Sequence, residues 1–167
     1  GLGDVYKRQG PIGAICALVA RARGADVVVV TDINAQRRQK VEDLGFTTCD
    51  PATAAMPEAD VLLECSGSAT AIDQGIRCLA PAGVAVLIGM TSSDTVPLPV
   101  GALQGKEVWL TGTFRYANTY PTAVELLSSG FVDLDSIVSA SYPLEEVENA
   151  LTHGKSHPAD MKVMVHP

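Results

Sequence analysis

The sequence predicts an α/β fold: a doubly wound parallel sheet with helices on both faces. Three observations carry this. Short apolar runs alternate with segments of helical periodicity. The runs Val27–Val30 and Val84–Ile88 are continuous and rich in β-branched residues, as strands covered on both faces require. Gly10-Pro11-Ile12-Gly13 opens a helix, and Asp32 ends the strand after it. That is the second half of a G-x-G-x-x-G turn, with its acid about 20 residues on.

The elements follow in order. The first glycine of the turn should stand at position 8, which is Arg8, and Gly1 to Gln9 does not read as a buried parallel strand. The first strand is therefore missing or replaced. Pro11 suits the first turn of a helix, where its absent N–H costs nothing. Ile12, Ile15, Cys16, Val19 and Ala20 share one helical face, and Gly24 can end the helix. Asn34 can cap a second helix that ends near Leu44-Gly45. Phe46–Cys49 is a short strand, and Asp60–Cys65 a longer one. Ser68 can cap a helix carrying Ala69, Ile72, Ile76 and Leu79 on one face. Pro81-Ala82-Gly83 turns the chain into the strand Val84–Ile88. Val108-Trp109-Leu110 starts another strand, and Pro121–Ser128 reads as a helix. Beyond Gly130, Ile137-Val138, Leu144–Leu151 and Lys162–Val165 give strand, helix and strand. They either extend the sheet or belong to a second domain.

Composition narrows the function. A length of 167 residues suits one domain with a sizeable core. The net charge of −7 argues against a nucleic-acid surface. No apolar run approaches the ~20 residues of a membrane helix, and no signal-peptide core opens the chain. Cys16, Cys49, Cys65 and Cys78 are widely spaced and lack a C-x-x-C pattern. They read as small buried thiols in a reducing, cytoplasmic compartment.

Several residues carry chemistry. Gly10 lets the backbone approach a pyrophosphate, and Gly13 lets the helix pack close to the strand. The helix start offers N–H groups and a positive dipole end to phosphate. The Asp32 carboxylate can accept hydrogen bonds from both ribose hydroxyls and would repel a 2′-phosphate, so NAD is expected over NADP. Cys65-Ser66-Gly67 and Gly89-Met90 follow two further strands, where such sheets meet their ligands. Thr113 to Pro121 gathers Arg115, Tyr116 and Tyr120 near another strand end. His153 and His157 stand four apart, as helical metal ligands might be spaced, yet Gly154 and Pro158 argue against a continuous helix. No metal site and no catalytic residue is assigned to this chain.

Gly10-Pro11-Ile12-Gly13, Val29-Val30-Thr31-Asp32, Glu64-Cys65-Ser66-Gly67, Val96-Pro97-Leu98 and Phe114–Pro121 together resemble zinc-dependent medium-chain dehydrogenases. Phe114-Arg115-Tyr116 with Asn118-Thr119 looks specifically like the sorbitol (L-iditol) and xylitol branch. The resemblance covers Gly10 to Pro167 and implies a Rossmann domain. It implies pyrophosphate contact at Ile12 and an adenosine-ribose pair of Asp32 and Arg37. Ile88, Gly89 and Met90, with Thr113, Phe114 and Arg115, would line the nicotinamide half. Arg115 and Tyr116 would approach a polyol substrate. It also implies residues 10–134 as the dinucleotide-binding domain and 135–167 as a segment returning to a catalytic domain. Zinc would be held in that other domain, by a Cys and a His-Glu pair absent here, and would polarise a secondary alcohol for hydride transfer to NAD. The full-length parent is expected to be a homo-oligomer. Asp4-Val5-Tyr6-Lys7-Arg8-Gln9 resembles the translated end of a transposon adapter used in sequencing libraries, and residues 1–9 are expected to be non-native. Other medium-chain reductases and a non-catalytic NAD-sensing module are the alternative readings.

Overall fold

A computed structural model describes residues 3–7 by their backbone and residues 11–167 in full. Arg8 and Gly10 lie outside the described residues.

Six strands form one parallel sheet: β1 (Gly3–Lys7), β2 (Val27–Thr31), β3 (Thr47–Cys49), β4 (Ala59–Glu64), β5 (Leu79–Leu87) and β6 (Trp109–Gly112). Their order is β3-β2-β1-β4-β5-β6, so the winding reverses between β1 and β4. The intervening helices are α1 (Pro11–Ala22), α2 (Ala35–Asp43), α3 (Ala69–Arg77), α4 (Val100–Gly105) and α5 (Tyr120–Ser128). The expected doubly wound fold is present.

The central slot is taken by Gly3–Lys7, whose backbone pairs in parallel with β2 and with β4. The composition of this segment is a poor match for a central strand. Backbone ladders require only N–H and C=O groups, and leaving the slot open would strip both neighbours of partners.

Two cores sandwich the sheet. One joins Ala14, Ala17 and Leu18 of α1 to Val28, Val30, Val41 and Phe46, and closes on Val132 and Ile137. The other packs Ile72 and Ile76 of α3 on Leu62, Leu79 and Ala85. In α1 the deepest face is therefore Gly13-Ala14-Ala17-Leu18. The face expected from periodicity is turned partly outward, and Ile12 is 51% exposed. Small residues win the inner position because they let the helix lie close to the sheet. The four cysteines are half-buried rather than buried.

Two local expectations change. Pro81-Ala82-Gly83 does not precede the strand but lies within β5, where the register jumps between the Ala59–Leu79 and Val61–Val84 pairs. Ala82 takes φ +58° and its N–H donates to the Lys106 carbonyl at 2.7 Å, which fixes this excursion. Ser68 stands at the start of α3 but makes no side-chain cap, because Glu64 and Ser66 take over the polar contacts there. Asn34 does cap α2, accepting from the Gln36 and Arg37 amides. The short helix α4 was not legible, since Gly101 and Gly105 interrupt its pattern.

After Gly130, β7 (Val138–Pro143), α6 (Val147–Ser156) and β8 (Lys162–His166) form their own unit. β7 and β8 make a separate two-stranded parallel sheet and do not extend the large one. α6 runs through Gly154, so His153 is helical after all and His157 sits at its C-cap.

Candidate cofactor site

Register collects the predicted residues on one edge. Cys49, Thr31, Lys7, Glu64, Leu87 and Gly112 form a continuous row of paired positions across the sheet. Each is the last residue of its strand or, for Lys7, of the strand that feeds α1. Asp32, Cys65-Ser66-Gly67, Ile88-Gly89-Met90 and Thr113-Phe114-Arg115 come directly after this row. Carboxyl ends flanking a winding reversal are where open α/β sheets place ligands.

At the β2 end, Asp32 is 1% exposed. Its Oδ1 accepts from the Asn34 amide at 2.8 Å, and Arg37 Nη1 lies 4.0 Å from Oδ2. The expected pair of Asp32 and Arg37 is thus adjacent. A ribose arriving here must share or displace the Arg37 contact. Arg37 Nε also donates to the Pro158 carbonyl at 3.0 Å, so the C-terminal unit steadies it. Arg38 donates to the Asp32 carbonyl at 2.6 Å and pairs with Asp50 at 3.3 Å, which pins the strand end.

At the β4 end, Glu64 is fully buried and accepts from the Ser66 amide, the Ser66 hydroxyl and the Gly67 amide. Its carbonyl also accepts from Ile88 and Gly89, both at 2.8 Å. One residue therefore ties the β4 turn to the β5 turn. In the sequence Glu64 stands in the Glu64-Cys65-Ser66-Gly67 motif as the acid closing an apolar strand, with no site role attached to it. That pattern was the available signal for an acid folded back on its own turn. The two turns touch backbone to backbone. Gly67 has φ +66°, and a Cβ there would lie 1.9 Å from the Met90 carbonyl oxygen. A Cβ on Gly89 would lie 2.2 Å from the Gly67 nitrogen. Met90 itself is 78% exposed.

A cleft of about 350 Å³ opens beside these ends, lined by Ile33, Pro51, Ser66, Ser68, Thr70 and Gln74 among others. Of these only Ser66 stands in a turn that the sequence marks as a candidate to meet a ligand. The cleft exists only once the β2 and β4 turns face each other.

At the β6 end, the Thr113 amide donates to the Leu87 carbonyl at 3.0 Å. Beyond it the loop is exposed. Arg115 stacks over the Phe114 ring at 4.9 Å, and Tyr116 meets Tyr120 at 5.1 Å. Arg115 and Tyr116 thus stand beyond the β6 end and pack within their own loop. Ile12 and Gly13 occupy the first turn of α1, whose leading amides have no partner inside the helix.

His153 is buried between two partners. Tyr142 Oη lies 2.8 Å from Nδ1, and Asp160 Oδ2 lies 2.7 Å from Nε2. Both ring nitrogens are thereby engaged. Among the described residues no group of three or more His, Cys, Asp or Glu side chains is placed to hold a metal ion. The described residues offer no set that fits zinc.

The sequence profile of zinc-binding dehydrogenases matches residues 11–129. The chain belongs to this family. Among zinc-binding dehydrogenases and their relatives, it is 31% identical to sorbitol dehydrogenase of Bacillus subtilis (strain 168), covering 95% of this chain and 48% of that protein. It is 36% identical to the Homo sapiens sorbitol dehydrogenase over 84% of this chain and 43% of that one. The L-idonate 5-dehydrogenase structure from Escherichia coli superposes with a TM-score of 0.87 at 26% identity, over 99% of this chain and 50% of that chain. The chain spans about half the length of the curated relatives it matches.

Proposed function

We propose that this chain is the NAD-binding portion of a dehydrogenase that oxidises a polyol, a sorbitol- or xylitol-like secondary alcohol. The carrying observation is Asp32, an acid at the end of β2 beside Arg37, on the edge where α1 also begins. Similarity to two sorbitol dehydrogenases supports the substrate class.

The roles follow from position. The leading amides of α1, at Ile12 and Gly13 with Gly10 before them, would bind the pyrophosphate. Asp32 would accept from the ribose hydroxyls, with Arg37 beside it. A 2′-phosphate would meet a buried carboxylate, and like charges in a poorly solvated site repel strongly. Ile88, Gly89 and Met90, with Thr113, Phe114 and Arg115, would border the nicotinamide half, held in place by the Glu64 carbonyl and the Thr113–Leu87 contact. Arg115 and Tyr116 would approach the polyol. Hydride uptake from the alcohol carbon is the chemistry that bound NAD supplies.

Residues 10–134 serve in this reading as the dinucleotide-binding domain and 135–167 as a segment completing the catalytic domain of a longer, cytoplasmic, homo-oligomeric parent. Zinc belongs to that other domain. No helix among the described residues is long and apolar enough to cross a membrane.

Titrating NADH and NADPH into the purified chain, followed by nicotinamide fluorescence, tests the cofactor reading. NADH should bind about tenfold or more tightly, a difference of at least ~1.4 kcal/mol. Equal affinities would overturn the preference, and binding of neither would overturn the cofactor site itself.

A further inference from the structure

Cys16 lies on α1, one helical turn beyond Ile12, and Cys65 is the first residue after β4. Although 49 residues apart, their side chains touch: the Cys65 S–H donates to Cys16 Sγ at 3.8 Å. Both are half-buried rather than sealed. An apolar groove of about 300 Å³, lined by Ile15, Cys16, Val19, Val61 and Leu63 among others, opens beside them. Small reagents have a route to Cys16.

The contact is not symmetric. Hydrogen bonding from Cys65 lowers the pKa of the Cys16 thiol. The same bond and burial push that of Cys65 up. Cys16 lines the groove and is the group placed to ionise and attack, because the thiolate is the nucleophile. Cys65 keeps its proton and waits within reach.

We propose that Cys16 and Cys65 are a redox-sensitive pair that closes to a disulfide on exposure to a hydroperoxide, stapling α1 to the end of β4. The Cys16 thiolate attacks one peroxide oxygen. The O–O bond breaks, the departing alkoxide or hydroxide takes up a proton, and Cys16 becomes a sulfenic acid. The Cys65 sulfur then attacks the sulfenic sulfur. The S–S bond forms, the S–O bond breaks, and the oxygen leaves as water with the Cys65 proton. Two electrons pass from the sulfurs to the peroxide. The sulfurs must close from 3.8 Å to a bond of about 2.05 Å. The inference does not depend on which cofactor the sheet binds.

The test treats the full chain with hydrogen peroxide, quenches it, counts thiols in denaturant and maps linked peptides by mass spectrometry. Two of the four thiols should disappear, the link should join Cys16 to Cys65, and dithiothreitol should restore both. A Cys49→Ser/Cys78→Ser variant should lose both of its remaining thiols, while Cys16→Ser or Cys65→Ser should form no internal link. The link should form about tenfold or more faster than in concentrated urea, where closure across the intervening chain is left to chance. A link through Cys49 or Cys78, bridges only between chains, or Cys16 driven to sulfinic acid with Cys65 untouched would overturn the proposal. An equal rate in urea would also overturn it.

Discussion

Glu64, which the sequence did not mark as a site residue, organises the turns after β4 and β5. Its buried carboxylate accepts from Ser66 and Gly67, while its carbonyl holds Ile88 and Gly89. Glu64→Ala would strand two amides and a hydroxyl at a buried site. Each unsatisfied group costs about 1–3 kcal/mol, so local destabilisation of about 3 kcal/mol or more is expected. Hydrogen exchange at the Ser66 and Gly67 amides should accelerate accordingly, and unchanged protection would refute this role. Asp32 differs in the proposed reading: it accepts from the Asn34 amide of its own turn and would also meet the ligand. Asp32→Ala should weaken NAD binding by about 1.5–3 kcal/mol, the scale of hydrogen bonds to a charged group. Calorimetric titration of both cofactors would show it, and unaltered NAD affinity would remove Asp32 from the site.

Among the elements, the unit of β7, α6 and β8 is fastened to α2 by a small polar network. Lys40 pairs with Asp160, His153 bridges Asp160 and Tyr142, and Arg37 reaches the Pro158 carbonyl. Lys40 and His153 hold the Asp160 carboxyl below the ordinary carboxylate range, the hydrogen bond from Lys40 being the larger cause. The unfolded chain therefore takes up that proton first as pH falls. Between the ordinary and the lowered pKa the unfolded state binds more protons, so stability rises with pH there. The contribution is complete above the ordinary range and is lost as pH drops through the folded value. Protease protection of the C-terminal unit, followed from neutral to acidic pH, should decline along this limb. Asp160→Asn should flatten the decline, and an identical profile in that variant would show the network is idle.

For the whole molecule, the decisive element is β1. Its sequence, Gly-Asp-Val-Tyr-Lys, sits between β2 and β4 at the centre of a parallel sheet, a place normally filled by apolar residues. Thermal unfolding of the isolated chain should be broad and prone to aggregation, because a composition so poorly matched to a central strand leaves little margin in the ~5–15 kcal/mol that holds a domain. A sharp, reversible melt of a monomer would contradict this. The chain should also show no polyol oxidation when supplied with NAD, zinc and sorbitol, since its described residues form no metal-holding group. Turnover above the buffer background would refute that expectation.

The sequence by itself determined the fold class, most elements and the location of the candidate site. These follow from local signals: β-branched runs, helical periodicity, the Gly-Pro-Ile-Gly turn and an acid at a strand end. They are legible because each depends on residues close in sequence. Tertiary structure decided what depends on distant partners. Register alone aligned Thr31, Glu64, Leu87 and Gly112 into one edge. Backbone packing of Gly67 against Met90 shaped the turns, and the closeness of helix and sheet chose Ala14 and Ala17 over Ile12 for the core. The cleft at Ile33 and Gln74, the separate β7–β8 sheet and the Cys16–Cys65 contact likewise arise only when remote segments meet. Periodicity records which side of an element is apolar, but not which neighbour will lie against it.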